Sequence, residues 1–453
     1  MAENARHDKT ARQLRLLSDA LDSGRLGPVR RLVNTLAPAE IGNLLESLPH
    51  DKRMVVWGLV DAEDDGEVLV HVGDEVRESL IADMDPDELV AAVEDLDIDD
   101  LADLVDDLPE AVSEQLLRSM DRENRERLEQ ALSYEEDSAG RLMNPDVVTV
   151  RADTTVEVVL RFLRLRGELP EHTDHLYVVN RRHQLIGWVA LQDLVTCEPG
   201  TPLNQLIDDS LTSIHVGESA QEVARQFSDH DWVSAPVVDD GNVLLGRITI
   251  DDVVDIIREQ AEHQVLGAAG LDEDEDLFSP VRRAVRGRVV WLCINLLTAF
   301  LAASVIGQFE ATIERIVALA VLMPIVAGIG GNASVQVLTL MVRGIALGQV
   351  GSSNAGILLW KELRVALING LLIGGLVGLI ALAWFRDWDL SLVIGAALVI
   401  NFCSAALAGV LVPLLMKRMR IDPAVAGTVV VTAVTDVMGF LSFLGLATLV
   451  LLR

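Results

Sequence analysis

Residues 423–452 read PAVAGTVVVTAVTDVMGFLSFLGLATLVLL, a run whose sole ionisable side chain, Asp436, stands near the middle. A membrane-spanning helix needs about 20 apolar residues, so the run is long enough to cross a bilayer. A lone aspartate at that depth costs roughly 2.5–3.5 kcal/mol on insertion scales unless it faces water, a partner or an ion. Thr432 and Thr428 fall one and two turns earlier on the same helical face. Thr428, Thr432 and Asp436 thus make a polar stripe suited to line a pore and hold a metal ion. The plainer alternative is a carboxylic acid hydrogen-bonded to a neighbouring helix.

Working outward, four more long apolar segments precede this one, at 289–309, 316–342, 365–385 and 390–416. Five in succession predict a five-helix transmembrane domain rather than the core of a soluble protein. One set of helix ends carries Arg282, Arg283, Arg286, Arg288, then Arg343, Lys361, Arg364, then Lys417, Arg418 and Arg420; the opposite set carries only Arg315, Arg386 and Arg453. The basic set is expected on the cytoplasmic side, with the C-terminus outside. In the second span, MPIVAGIGGNASVQ (323–336) gathers Pro324, Gly328, Gly330, Gly331 and Asn332. Such residues let helices approach closely or free carbonyls beside a watery cavity, so Gly330, Gly331 and Asn332 are candidate pore supports, against the alternative of a packing seam. Asn401 and Asn369 read as interhelical hydrogen bonds rather than ligands.

The 453 residues hold 37 basic and 69 acidic side chains, a net charge of -32, with mean hydropathy +0.33. The two facts reconcile on splitting the chain: residues 1–285 carry 62 acids and 26 bases, residues 286–453 only 7 acids and 11 bases. So negative a soluble part excludes nucleic acid as a partner and favours cations. Cys197, Cys293 and Cys403 lack CxxC spacing, which predicts neither disulfides nor a zinc site. Charges interrupt every apolar run in the first 25 residues, so no signal peptide is expected. The chain reads as a multi-pass protein of the cell's inner (plasma) membrane with cytoplasmic N-terminal domains.

Within the soluble part, LAPAEIGNLLESLP (36–49), MDPDELVAAVEDLD (84–97) and LDIDDLADLVDDLP (96–109) each place apolar residues at i, i+3, i+4 and i+7. Asp85, Pro86 and Glu88 supply an N-cap, a first-turn proline and a capping-box acid. Short capped helices predict an all-α superhelix, and residues 51–137 carry 30 acids against 7 bases. A different repeat follows: YVVNRRHQLIGWVALQDLV (177–195) aligns without gaps on PVVDDGNVLLGRITIDDVV (236–254), pairing Val178 with Val237, Gly187 with Gly246 and Asp193 with Asp252. Each copy reads as strand, turn, strand and acid-capped helix, the pattern of an α/β tandem CBS pair. The expected organisation of this multi-domain membrane protein is a tail (1–24), an acidic helical domain (25–137), CBS repeats (138–200 and 201–262), a connecting helix (263–285) and the transmembrane domain (286–453).

That order of parts resembles the MgtE family of magnesium channels over nearly the whole length, through SYEEDSAGRLMNPDVVTV (133–150), GRITIDDVVD (246–255), LMPIVAGIGGN (322–332) and TAVTDVMGFLSF (432–443). The resemblance implies a homodimer in the lipid bilayer whose pore runs along the subunit interface, paired Asp436 carboxylates holding hydrated Mg2+ for import into the cytosol. It also implies that Mg2+ between cytosolic domains holds the channel shut, with Asp99 and Asp100 facing Asp252 and Asp255, and Glu259 and Glu262 as further ligands. Two departures stand out. IIREQAEHQ (256–264) sets Arg258, Gln260, His263 and Gln264 at or near positions where the family carries acids, so regulatory Mg2+ there is expected to be weaker, relocated or absent. Gln192 stands where an arginine often precedes the aspartate, which argues against phosphate contacts and hence against ATP; Trp232 is either an adenine stack or a core residue. No GxxxxGK[ST] loop is present, and no enzymatic activity is expected. The rivals are a transporter of another divalent cation such as Co2+ or Mn2+, a CBS-regulated solute carrier, which would want a deep Arg or Lys, and a membrane-anchored sensor.

Overall fold

The computed structural model describes residues 21, 26–94, 96–210, 212–271, 276–351 and 354–452. The chain divides into two compact units, Met1–Gln260 with Asp274–Ser279, and Ala261–Glu273 with Pro280–Arg453.

Among the described residues, the first unit has nine short helices over 26–131: α1 (Leu26–Val33), α2 (Pro38–Glu46), α3 (His50–Trp57), α4 (Asp65–Val70), α5 (Asp74–Ile81), α6 (Pro86–Val93), α7 (Ile98–Asp107), α8 (Glu110–Ser119) and α9 (Arg122–Ala131). Their apolar stripes are too narrow to close a core in pairs, so each helix packs on the next but one, α2 on α4, α4 on α6, α5 on α7, and the stack winds as a superhelix. Ile41, Leu45, Leu69, Leu80, Leu89 and Leu101 fill its axis. Glu88 Oε2 accepts from Asp85 N at 3.4 Å at the start of α6. A segment from far along the chain also belongs to this unit. Buried Arg53 donates from Nε to Leu45 O at 2.9 Å and pairs through Nη2 with Asp276 at 2.6 Å. Buried Glu75 accepts from Asp276 N at 3.0 Å and from the Ser279 hydroxyl.

After the short helix α10 (Ala139–Leu142) come two three-stranded sheets, β1 (Thr149–Val150), β2 (His175–Val179), β3 (Leu185–Ala190) and β4 (Ile214–His215), β5 (Ser234–Val238), β6 (Leu244–Thr249). Their registers repeat: Val178 pairs with Gly187 and Val237 with Gly246, each followed by a shift in register. The paired glycines have one physical reason. A Cβ on Gly246 would stand 2.8 Å from Asn144 O, and one on Gly187 would overlap Asp208 O, so only glycine lets those segments cross the sheets. The two copies join at their hairpin tips through Leu185 N to Asn242 O (2.9 Å) and Leu244 N to His183 O (3.0 Å). Helices α11 (Val156–Arg166), α12 (Leu191–Thr196) and α13 (Ala220–His230) cover the sheets.

Helix α14 (Ile250–Ala269) follows β6 directly. The residues expected as one connecting helix, 263–285, are instead divided: α14 continues unbroken through 263 and ends beside Gly270 at φ +72°, while α15 (Val281–Gly307) already includes the first span. A left-handed glycine stops the first helix, and Pro280, with no N–H to donate, precedes the second.

The second unit comprises α15, α16 (Glu310–Arg315), α17 (Ala318–Ala346), α18 (Ala355–Phe385), α19 (Trp388–Arg418) and α20 (Pro423–Leu451). All but α16 are long and apolar enough to cross a membrane, which fits a multi-pass membrane protein. α19 packs on α17, α18 and α20, and α15 packs on α20. Gly370, Gly374 and Gly378 let α18 approach α19 closely: Cβ atoms at Gly374 and Gly378 would stand 2.7 Å from Gly395 O and 3.0 Å from Ser391 O.

Candidate metal sites

Helix α20 carries Thr428, Thr432 and Asp436, all partly exposed. Among the described residues Asp436 has no hydrogen-bond or ion-pair partner, so the plainer alternative of an acid satisfied by a neighbouring helix finds no support within one chain. The glycines of α17 stand behind this stripe in different ways. A Cβ on Gly331 would stand 3.9 Å from Thr432 Cγ2, so that backbone lies beside the stripe. Gly330 is buried and makes room for Asn401, fully buried on α19, whose Nδ2 donates to Val326 O at 3.0 Å. The same amide abuts Gly439 of α20. One side chain thus fixes three helices one turn from Asp436. Asn332 is exposed, as are Pro324, Gly328 and Gln336 along the same face of α17. Asn369 is exposed as well.

The acidic candidates lie in the first unit. Asp99 and Asp100, in the first turn of α7, come within electrostatic reach of Asp252 and Asp255 on α14. Burial, followed by Asp252, Asp100 and Asp97, pushes the Asp99 carboxyl well above the usual range, and among the described residues the buried Asp99 Oδ1 has no hydrogen-bond partner. Asp100 is pushed up to about 7 by burial and then by Asp97, Asp103, Asp251 and Asp255. Asp252 also rises to about 7, through burial and Asp251, although it caps α14 by accepting from Thr249 N at 3.1 Å. Asp255 spends part of its charge on Arg258 at 3.5 Å. Glu259 is raised by lost hydration and then by Asp255 and Asp103, while Glu262 is exposed. Among the described residues no three of these side chains close around one point. The arrangement is one of facing carboxylates, offset at Asp255 by Arg258, with an Asp99 oxygen that has no hydrogen-bond partner among the described residues. A cation such as Mg2+, which sheds its water shell reluctantly and is held largely through it, does not need a closed set of protein ligands.

Trp232 stacks on the His230 ring at 4.5 Å and meets Phe227 edge-on at 5.6 Å, so its ring is engaged with its own repeat. Two acids escaped the sequence reading. Glu362 on α18 is buried beside Lys361 Nζ at 2.7 Å, and nothing local separates it from an ordinary flanking charge. Asp422 accepts from Ala424 N at 2.7 Å at the start of α20, and an acid just before Pro423 is a legible N-cap.

The chain matches the MgtE intracellular N domain over residues 36–137, CBS domains over 139–200 and 203–259, and a divalent cation transporter domain over 323–446. The magnesium transporter MgtE of Thermus thermophilus is 32% identical over 451 residues, covering 96% of this chain and 98% of that one. The magnesium transporter MgtE of Enterococcus faecalis is 31% identical over 322 residues, 71% of each chain. A crystal structure of the cytosolic domain of the Mg2+ channel MgtE in complex with ATP is 33% identical, covers 53% of this chain and 98% of that one, and has a TM-score of 0.49. With end-to-end similarity to one such transporter and matching domains in the same order, the chain belongs to the MgtE family of divalent cation transporters.

Proposed function

We propose that this protein is a magnesium channel that imports Mg2+ into the cytosol as a homodimer, through a pore along the subunit interface lined by Thr428, Thr432 and Asp436. The observation that carries the reading is Asp436: a partly exposed carboxylate without a partner among the described residues, midway along an otherwise uncharged span. Two facing copies would offer the one or two carboxylates and flanking hydroxyls that suit a hydrated Mg2+. The relatives named as magnesium transporters support the cargo. The dimer is supported by α17, whose exposed face holds Asn332 and Gln336, side chains that at membrane depth want water or a second protein surface rather than lipid.

Closure follows from charge. Asp99, Asp100 and Asp252 repel while bare, so the α7–α14 contact is held shut when Mg2+ bridges them through its water and loosens when Mg2+ leaves. A nucleotide at the CBS pair is supported by the CBS match alone; Gln192 offers no charge to a phosphate and Trp232 is engaged by His230. The test of the main reading is Mg2+ uptake into liposomes holding wild type or Asp436→Ala. Uptake in the variant is expected to fall to background with unchanged elution on size exclusion; normal flux through it would refute the reading.

A further inference from the structure

The end of α14 meets the start of α20 through a polar contact. His263 Nε2 lies 2.6 Å from Asp422 Oδ2, while Asp422 Oδ1 accepts from Ala424 N and so caps the helix that carries Asp436. One turn further along α14, Gly267 packs on the first turn of α20: a Cβ there would stand 3.1 Å from Val425 Cγ2 and 3.7 Å from Val425 N. α14 then ends at Gly270, against the Trp291 indole of α15. With no side chain between them, its backbone lies directly on two membrane helices.

This joint differs in kind from the contact between α7 and α14. There carboxylates face carboxylates, and a cation must mediate. Here one partner is an imidazole, which donates a hydrogen bond to the carboxylate with no ion between. We propose that His263 is a positioning residue: through Asp422 it fastens α14 to the N-terminus of the Asp436 helix, so that this joint closes without a bound metal ion. The proposal rests on the channel reading above and adds a division of labour to it, one joint sensing Mg2+ and the other transmitting its state.

The test uses the full-length protein in liposomes loaded with a magnesium indicator, with flux read against Mg2+ on the side of the cytosolic domains. His263→Ala is expected to leave roughly fivefold more flux than wild type at concentrations that shut wild type, the size a partly exposed hydrogen bond to a charged group supports. Asp422→Ser keeps a capping hydroxyl but is too short to reach His263, and is expected to do the same. The double variant is expected to leak no more than either alone, because all three lack one contact. His263→Glu sets two carboxylates face to face, and its closure is expected only at high Mg2+, a dependence that a merely space-filling histidine would not produce. Wild-type closure in His263→Ala overturns the proposal, as does full additivity in the double variant. Asp436→Ala measured alongside separates the two readings. Flux through it sinks the channel reading, whereas abolished flux there with an unaltered His263→Ala curve sinks the latch alone.

Discussion

Substituting alanine at Gly330 tests whether the bundle is keyed by the Asn401 amide. The added Cβ would overlap Asn401 Nδ2 and stand 2.7 Å from its Cγ, where carbon atoms prefer about 3.5–4.0 Å. The amide has no free side to retreat to, since a Cβ on Gly439 would itself stand 2.7 Å from Nδ2. Overpacking costs about 1–3 kcal/mol, and the lost Asn401–Val326 hydrogen bond adds about 0.6 to 1.7 kcal/mol, the range measured within membranes. Gly330→Ala should therefore cost about 2–5 kcal/mol. Asn401→Ala, which loses the bond and leaves a small cavity, should cost about 1–3 kcal/mol. The decisive quantity is the double variant. With the amide gone the new methyl has room, so Gly330→Ala/Asn401→Ala should be more stable than Gly330→Ala alone, a coupling opposite in sign to simple addition. Thermal unfolding in detergent at one fixed scan rate ranks the four proteins even where unfolding is irreversible. A Gly330→Ala protein as stable as wild type, or a double variant less stable than both singles, would refute the keying.

Replacing Asp252 by Asn removes a ligand and the repulsion that ligand relieves, so cleavage of the full chain by a dilute protease at the α7–α14 contact should stay slow with or without Mg2+; a magnesium dependence as steep as in wild type would count against the bridged interface. Asp65 is pushed up to about 6 by burial and then by Asp64, Glu88 and Asp61, so protonation favours the folded state, and stability falls as pH climbs from about 4 through 6. Asp65→Asn should accordingly raise stability at pH 8 by about 1–2 kcal/mol, after discounting for partial exposure, and do nothing at pH 4; an equal shift in melting temperature at both pH values would show that its charge is irrelevant.

What could be read from sequence was whatever repeats or alternates locally. The CBS pair was legible because Gly187 and Gly246 answer the same backbone crossing in two copies, and the spans because apolar length alone betrays them. Asp436 stood out by contrast with its surroundings. The Gly370, Gly374 and Gly378 seam on α18 was equally legible as an i, i+4, i+8 row and went unread. Contacts between residues remote in sequence left no trace: Arg53 meets Asp276 across 223 positions and His263 meets Asp422 across 159, and no periodicity announces such pairs. The departure of IIREQAEHQ from the family's acids was visible, but the carboxylate waiting for His263 was not. The facing of Asp99 and Asp252 was expected; the burial that lifts both carboxyls depends on how α7 meets α14.

The docking of Asp276 and Ser279 onto Arg53 and Glu75 makes the helical domain something other than a detachable module. It holds the chain at two places, where α9 runs on toward α10 and again at 276–279. Lifting residues 276–279 off the helical domain would leave the buried Arg53 guanidinium without Asp276, a cost of several kcal/mol. A fragment cut at 262 carries that cost from the outset, so its stability would understate the intact domain's, whereas one extended to 279 would keep Arg53 paired with Asp276.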